Sequence, residues 1–418
     1  MKIALVSPYD LSHPGGVTEH ISHLAPMLRV RGADVKLMAP ASGDLPMEIG
    51  EAAEEDLYRI GRVIPVPANG SIARITLSFH LSRYINRILD KERFDLIHFH
   101  EPLMPALPIT VLRASKTCNV GTFHAYSKSS YAYYYGRRLV RRYHRKLHGL
   151  VAVSDPARDF VGRYFRGQYN VVPNGVDLGR FGPRVEPLPE LRDGKINILF
   201  LGRLEQRKGL GVLLRAYAQV KERMPELRLV IVGGSNDRAR RRYEAFVEAQ
   251  EIRDVVFTGF VSDDEKPRYF ASADIYCAPN TGKESFGIVL LEAMASSVPV
   301  VASDIPGFAQ LITPGREGIL VRRDDPLSLA SALSLLAGDA HLRARLGEAG
   351  RQRSQAFSWE RVVDQLVVSY EDAVRRYQRT PFNQGSQRQL AQTIALRRGP
   401  VPATKEPDRV HDAVPGLG

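Results

Sequence analysis

Strand-type and helix-type patterns alternate along this chain, and that alternation narrows what it can fold into. Lys2–Ser7 is a short apolar run. Val17–Arg31 then places Val17, Ile21, Leu24 and Leu28 at helical spacing and stops at Gly32. Val35–Ala39, Leu96–Phe99, Val120–Phe123, Leu150–Val153 and Asn170–Val172 read as further strands. The rhythm then starts again, with strands at Ile196–Leu201, Leu227–Val232, Val255–Thr258, Ile275–Ala278 and Val300–Ala302 and helical patterns between them. Near-continuous apolar strands separated by helices predict parallel sheets covered on both faces. Two such blocks predict an α/β chain of two doubly wound domains, over 1–185 and 186–358. The Pro-rich, charged stretch VEPLPELRDG reads as the linker between them. Ser358, with Glu360 close behind, is an N-cap candidate for one long helix over 359–378. Residues 379–418 are polar, with prolines, glycines and little periodicity, and read as a disordered tail.

Several classes fall away on composition. The two cysteines, Cys118 and Cys277, are far apart and lack the spacing of a disulfide framework, zinc ribbon or thioredoxin-type motif. A chain of 418 residues, 44% of them hydrophobic, can bury a core without such staples. No apolar run reaches the roughly 18 residues of a membrane-spanning helix. The apolar part of MKIALVSPYD is too short for a signal peptide. The expected location is therefore the cytoplasm. Charge is unevenly spread. Residues 1–185 hold 25 basic and 16 acidic side chains, whereas 186–378 hold 27 of each. A basic half joined to a neutral half implies an anionic partner for the first half: nucleic acid, an anionic membrane or a phosphorylated substrate.

In open α/β sheets, ligands lie at the C-terminal ends of the strands, and the candidate residues fall there. Pro14-Gly15-Gly16 follows the first strand and opens a helix, where bare backbone and a helix N-terminus favour a phosphate; a plain tight turn fits equally well. No G-x-G-x-x-G is completed, which lowers a dinucleotide dehydrogenase reading. Arg203 and Lys208 sit between the first strand of the second block and its helix and suit a diphosphate, or a solvated basic turn. Glu284 and Glu292 flank a Gly-containing turn and are suited to accept from sugar or ribose hydroxyls; answering the helix dipole is a plain alternative for Glu284. His98 and His100 share one strand face without a third metal ligand in view, and His124 ends a strand. Residues 102–154 contain nine basic side chains, no acid and interleaved tyrosines, as an RNA surface or a membrane interface would. Ile72–Leu89 reads as an amphipathic or core helix.

PGGV after the first strand, FHEP at 99–102, TFH at 122–124, PNGVD at 173–177, GR…KG at 202–209 and ESFGIVLLE at 284–292 occur in this order. Together, over about residues 1–378, they resemble the family 4 retaining glycosyltransferases, which have the GT-B fold of two Rossmann-like domains facing a cleft. SPYD, NGSIAR at 69–74 and YCAP make the chain most similar to the phosphatidyl-myo-inositol mannosyltransferases within that family. The resemblance implies a C-terminal helix returning to the N-terminal domain. It implies a nucleotide-sugar donor, GDP-mannose, held by the second domain, with no metal or other cofactor required. It places Arg203 and Lys208 on the donor diphosphate opposite the Gly16 backbone. Glu284 falls on the sugar, Phe286, Gly287, Ile288 and Val289 along the diphosphate and sugar, and Glu292 on the ribose. Val261 and Lys266 fall at the nucleobase. His124 falls beside the sugar and the acceptor hydroxyl. Tyr9, Arg74 and Lys128 fall among the acceptor contacts, as does Thr18, which stands where those enzymes usually carry Gln. The implied acceptor is an anionic phospholipid, and the implied place is the inner face of the cell membrane, peripherally attached, with no nucleic-acid partner. A soluble family member using a UDP- or GDP-sugar and a small sugar or sugar-phosphate acceptor is the alternative.

Overall fold

A computed structural model describes residues 1–13, 15–45, 53–68, 71–76, 81–234 and 237–379. The expected tail lies, from residue 380 on, outside the described residues, as does Pro14. The described residues form fifteen strands. β1 (Lys2–Val6), β2 (Asp34–Ala39), β3 (Leu57–Arg59), β6 (Leu96–His100), β7 (Cys118–Phe123), β8 (Gly149–Ala152) and β9 (Asn170–Val171) form one sheet, in the order β3-β2-β1-β6-β7-β8-β9. β10 (Ile196–Leu201), β11 (Leu227–Val232), β12 (Val255–Gly259), β13 (Ile275–Ala278), β14 (Val300–Ser303) and β15 (Gly318–Val321) form a second, in the order β12-β11-β10-β13-β14-β15. Every pairing in both sheets is parallel. The strand order reverses beside β1 in one sheet and beside β10 in the other, so each sheet has its switch point at its first strand.

Two stretches contradict the sequence reading, and β3 and β15 are strands that it does not name. Ile72–Leu89 is not one helix. Ser71–Thr76 is β5, paired antiparallel with β4 (Val63–Ala68), and a separate helix runs over Ser82–Glu92. The segment VEPLPELRDG is not an open linker either, because Leu188 and Leu191 are buried in the core of the second sheet with Val176 and Phe181.

The chain passes between the two sheets twice, close together. Val172 packs in the first core and Val176 in the second. Further on, the helix Ala340–Ser354 packs against the second sheet's helices, and the C-terminal helix Trp359–Gln378 returns to the first sheet. That helix begins as expected, its Ser358 side chain accepting from the Arg361 N–H. It buries Trp359, Val362, Val363, Leu366, Val367, Tyr370, Ala373 and Val374 against the first helix (Gly16–Val30) and the sheet. Arg31 clamps it by donating to Asp364 (2.7 Å) and to the Glu360 carbonyl (3.1 Å).

The two crossings touch. The Val176 N–H donates to the Phe357 carbonyl (2.9 Å), and the Trp359 indole lies on Gly175. A Cβ at Gly175 would come within 2.4 Å of the indole. Trp359 also stacks on His23 and meets His20 edge-on, with centroids 5.0 and 5.2 Å away. A Gly175→Ala substitution therefore overpacks this joint. It should cost about 1–3 kcal/mol and lower the melting temperature; an unchanged melting temperature would show that the joint yields freely.

Beneath the joint lies a core of histidines. His20, His98, His100 and His124 are all buried. His98 is satisfied on both nitrogens, by Thr122 Oγ1 (2.7 Å) and by the Tyr370 hydroxyl of the C-terminal helix (2.8 Å). His20 Nδ1 pairs with Asn174 Oδ1 (2.9 Å). Burial disfavours the imidazolium in each, pushing His20 down to about 4 and His98 to about 3, and holding His100 and His124 well below the ordinary value. In the unfolded chain these groups titrate near pH 6.5. Below that pH the unfolded state takes up protons that the native state refuses, so stability present above about pH 6.5 is lost as pH falls toward 4. Thermal unfolding should show a melting temperature that falls across this window. A flat profile from pH 7 to 4.5 would mean that the histidines protonate inside the fold.

Candidate functional site

The two sheets point their C-terminal strand ends at each other across a cleft of about 440 Å³. On the first domain's side it is lined by Tyr9, Gly15, Gly16, Val17, Glu19, Glu101, His124, Ala125 and Asn174. On the other side lie Gly202, Arg203, Arg207, Lys208, Asn280, Glu284 and the run Ser285–Leu290, backed by Tyr276 and Phe308.

Two helix N-termini meet here. The helix Gly16–Val30 starts at the cleft with Gly15 as an N-cap that has no side chain to answer its first N–H groups. The helix Ile288–Ala295 starts opposite, capped by Gly287, whose φ of 113° only glycine adopts readily. A Cβ at Gly287 would also press the Phe308 ring at 3.0 Å. Gly16 and Ile288 face each other directly, since a Cβ at Gly16 would lie 3.7 Å from Ile288 Cδ1. Unanswered N–H groups and the positive ends of two helix dipoles make the space between them attractive to an anion.

Cations on the loop after β10 add to this. Glu284 Oε1 accepts from Arg207 (2.5 Å), Lys208 (2.6 Å) and Asn280 (2.9 Å). These bonds all fall on one oxygen, which leaves Oε2 to the cleft. Burial pushes the Glu284 carboxyl up, but Lys208 and Arg207 outweigh it and hold it below its ordinary value. Arg203 is half exposed and reaches Glu205 at 3.3 Å, while Arg207 holds Glu205 at 2.8 Å. Arg207 was not singled out from the sequence. Consecutive cations at 207 and 208 give no periodic sign of which one turns inward, and here both do.

Across the cleft, His124 directly follows β7. Its Nε2 lies 3.0 Å from His100 Nδ1, so one of the two donates to the other and His124 Nδ1 remains for the cleft. His100 Nε2 is buried without a partner. Tyr9 is joined to the β4–β5 hairpin by a bridge to Ile75, and the Asp10 N–H donates to the Arg74 carbonyl (2.9 Å). Burial and the nearby Glu101 carboxylate push the Tyr9 hydroxyl up, so it stays protonated.

The remaining sequence candidates sit around this space rather than on its walls. Lys266 pairs with Glu292 at the start of a short helix, and Glu292 is buried. Glu292 Oε2 has no hydrogen-bond partner. Burial and the Glu19 carboxylate from the opposite domain raise the Glu292 carboxyl against the pull of Lys266. Val261 packs on the second core. Thr18 is buried within the first helix. Arg74 is exposed on the hairpin, and Lys128 is exposed, its carbonyl accepting from Arg163 (2.8 Å). Among the described residues, no three His, Cys, Asp or Glu side chains are placed to hold a metal ion. A cationic, helix-capped wall facing a wall of hydroxyl, imidazole and carboxylate groups suits a reaction between a phosphorylated donor and a hydroxyl-bearing acceptor.

Comparison with known proteins agrees with this layout. A family model described as Glycosyltransferase Family 4 matches residues 14–180, and one described as Glycosyl transferases group 1 matches residues 187–353. The chain is 38% identical over 375 residues to a phosphatidyl-myo-inositol mannosyltransferase of Mycobacterium leprae, covering 89% of this chain and 96% of that one. It is 38% identical over 380 residues to the enzyme of the same name from Mycobacterium tuberculosis H37Rv, covering 89% and 97%. A glycosyltransferase from Rickettsia africae superposes with a TM-score of 0.73 at 18% identity, over 90% of this chain and 98% of that one, a likeness of fold. The chain is thus a member of the family 4 glycosyltransferases, a sugar-transferring enzyme of the GT-B fold.

Proposed function

We propose that the enzyme transfers mannose, with retention, from GDP-mannose to an anionic inositol lipid such as phosphatidyl-myo-inositol. The observation that carries the reading is the cleft itself, where Arg203, Arg207, Lys208 and two opposed helix N-termini face His124, Tyr9 and Glu101. The names of the full-length relatives support the sugar and the acceptor.

On this reading the donor diphosphate lies between the Gly16 backbone and the Arg203–Lys208 loop, along the Phe286–Val289 backbone. The sugar meets Glu284 Oε2. Glu292, with its unpartnered buried oxygen, serves the ribose hydroxyls, and Lys266 and Val261 lie toward the base. The acceptor oxygen attacks the anomeric carbon on the face that the diphosphate leaves. As the carbon–oxygen bond to the diphosphate breaks, the acceptor proton passes to the departing phosphate oxygen. Charge grows on that phosphate, and preorganised cations and helix dipoles stabilise it without reorganising.

An exposed basic and aromatic helix supports the lipid acceptor. The helix Tyr131–His144 leaves the acceptor side through residues 124–130. Tyr131, Tyr135 and Leu139, four residues apart, are 79%, 74% and 75% exposed, and Arg137, Arg138, Arg141 and Arg142 are exposed beside them. Arginines flanking an exposed aromatic stripe suit the headgroup zone of an anionic bilayer, each worth about 1 kcal/mol near the surface. Among the described residues, no helix is long and apolar enough to cross a membrane.

Two tests follow. Glu284→Ala and Lys208→Ala should each lower kcat/KM for transfer by about 10²–10³-fold, the scale for losing one preorganised electrostatic contact, with the circular dichroism spectrum unchanged. Wild-type turnover in either folded variant would reject the donor assignment. Replacing Arg137, Arg138, Arg141 and Arg142 by Glu should abolish sedimentation with phosphatidylinositol vesicles while leaving donor affinity unchanged. If the wild type ignores such vesicles at physiological salt and glycosylates a soluble inositol phosphate at full rate, the soluble alternative replaces the lipid one.

A further inference from the structure

Glu101 follows the last residue of β6 and occupies the left-handed region, with φ 52°. A residue with a Cβ is uncommon there and persists only where the surroundings enforce it. The surroundings do so through the side chain. Glu101 Oε1 accepts from the His124 N–H and from the Ala125 N–H, both at 2.7 Å. The Glu101 backbone N–H donates to the Thr122 carbonyl at 2.8 Å. One carboxylate oxygen thus fixes the turn that carries His124 into the cleft.

The other oxygen is not needed for that task. Glu101 lines the cleft, its residue surface is only 2% exposed, and no Lys or Arg among the described residues pairs with it. Glu284, on the facing wall, has two cations on its Oε1. A carboxylate buried without a cation is costly unless hydrogen-bond donors meet it, and burial raises the Glu101 carboxyl to about 7 against the pull of its two backbone donors. If capping the 124–125 turn were its only work, a neutral side chain would serve with less cost. Its position, beside His124 and Tyr9 and across from the donor cations, is where the hydroxyls of a polyol would supply the missing donors.

We infer that Glu101 is an acceptor-binding residue, its free carboxylate oxygen accepting from a hydroxyl of the polyol acceptor while its other oxygen holds the backbone of His124. Seating the acceptor and aiming the imidazole are then linked through one side chain. The inference rests on the sugar-transfer reading of the cleft but not on the acceptor being a lipid.

Glu101→Gln separates the two tasks. The carboxamide oxygen still caps His124 and Ala125, but an NH₂ replaces the acceptor facing the cleft. Transfer from GDP-mannose is measured on phosphatidylinositol vesicles and on free myo-inositol 1-phosphate, with GDP affinity by calorimetry. In Glu101→Gln the acceptor KM should rise, or kcat/KM for the acceptor fall, by about 10- to 100-fold, the scale of a hydrogen bond to a charged group. GDP affinity and melting temperature should stay within error of wild type. Glu101→Ala, which also strips the cap, should in addition lower the melting temperature. Acceptor kinetics in Glu101→Gln within twofold of wild type would overturn the inference and leave Glu101 a turn cap. A wild type active only on the soluble inositol phosphate would reject the lipid reading, yet loss of that activity in Glu101→Gln would still support the role. Absence of wild-type transfer to either acceptor would overturn both.

Discussion

Trp359 packs on Gly175 where the chain passes from one sheet to the other and back. The cleft is built by two sheets that share no strands, so its width depends on how the connections hold them. The bare Cα of Gly175 admits the indole, His20 and His23 grip its other faces, and Asn174, one residue earlier, takes the His20 Nδ1. From there the C-terminal helix runs back over the first sheet and ties His98 through Tyr370. His98 and His100 alternate with Phe99 on β6, and His100 touches His124. The joint between the domains and the imidazole in the cleft therefore belong to one continuous buried structure. A disturbance at the joint has a short path to the site.

The two walls share a division of labour within single carboxylates. Glu284 gives Oε1 to Arg207, Lys208 and Asn280, and Glu101 gives Oε1 to the backbone of residues 124 and 125. In each case the proposed function assigns the second oxygen to a ligand hydroxyl, at a position fixed by the first. The environments differ in sign. Cations hold Glu284 ionised, whereas Glu101 has only backbone donors and titrates higher. That contrast suits a wall that receives an anion and a wall that receives a neutral polyol.

Much of this was legible in the sequence. Strands buried on both faces show as apolar runs, and most were placed within a residue or two. Gly16, His124, Arg203, Lys208, Glu284 and Phe286–Val289 each lie at a strand end or helix start, and the fold brings these into one cleft. Other features depend on distance rather than pattern. The hairpin β4–β5 was misread because Ile72 and Ile75 fit a helical spacing as well as a strand. Leu188 and Leu191 looked like linker residues because prolines and charges surround them. Glu101 was passed over within FHEP because its role comes from a left-handed backbone and from two N–H groups more than twenty residues away. Glu19 faces Glu292 only because the two domains meet.

On the proposed function, this cleft moves a sugar from a nucleotide diphosphate to a polyol hydroxyl without inverting the anomeric centre. The most direct measurement incubates the protein with GDP-α-mannose and phosphatidylinositol vesicles and reads the product's anomeric configuration by NMR. An α-mannoside, formed only when acceptor is present, is the predicted result. A β-mannoside, or consumption of the donor by water alone at the same rate with and without acceptor, would contradict it.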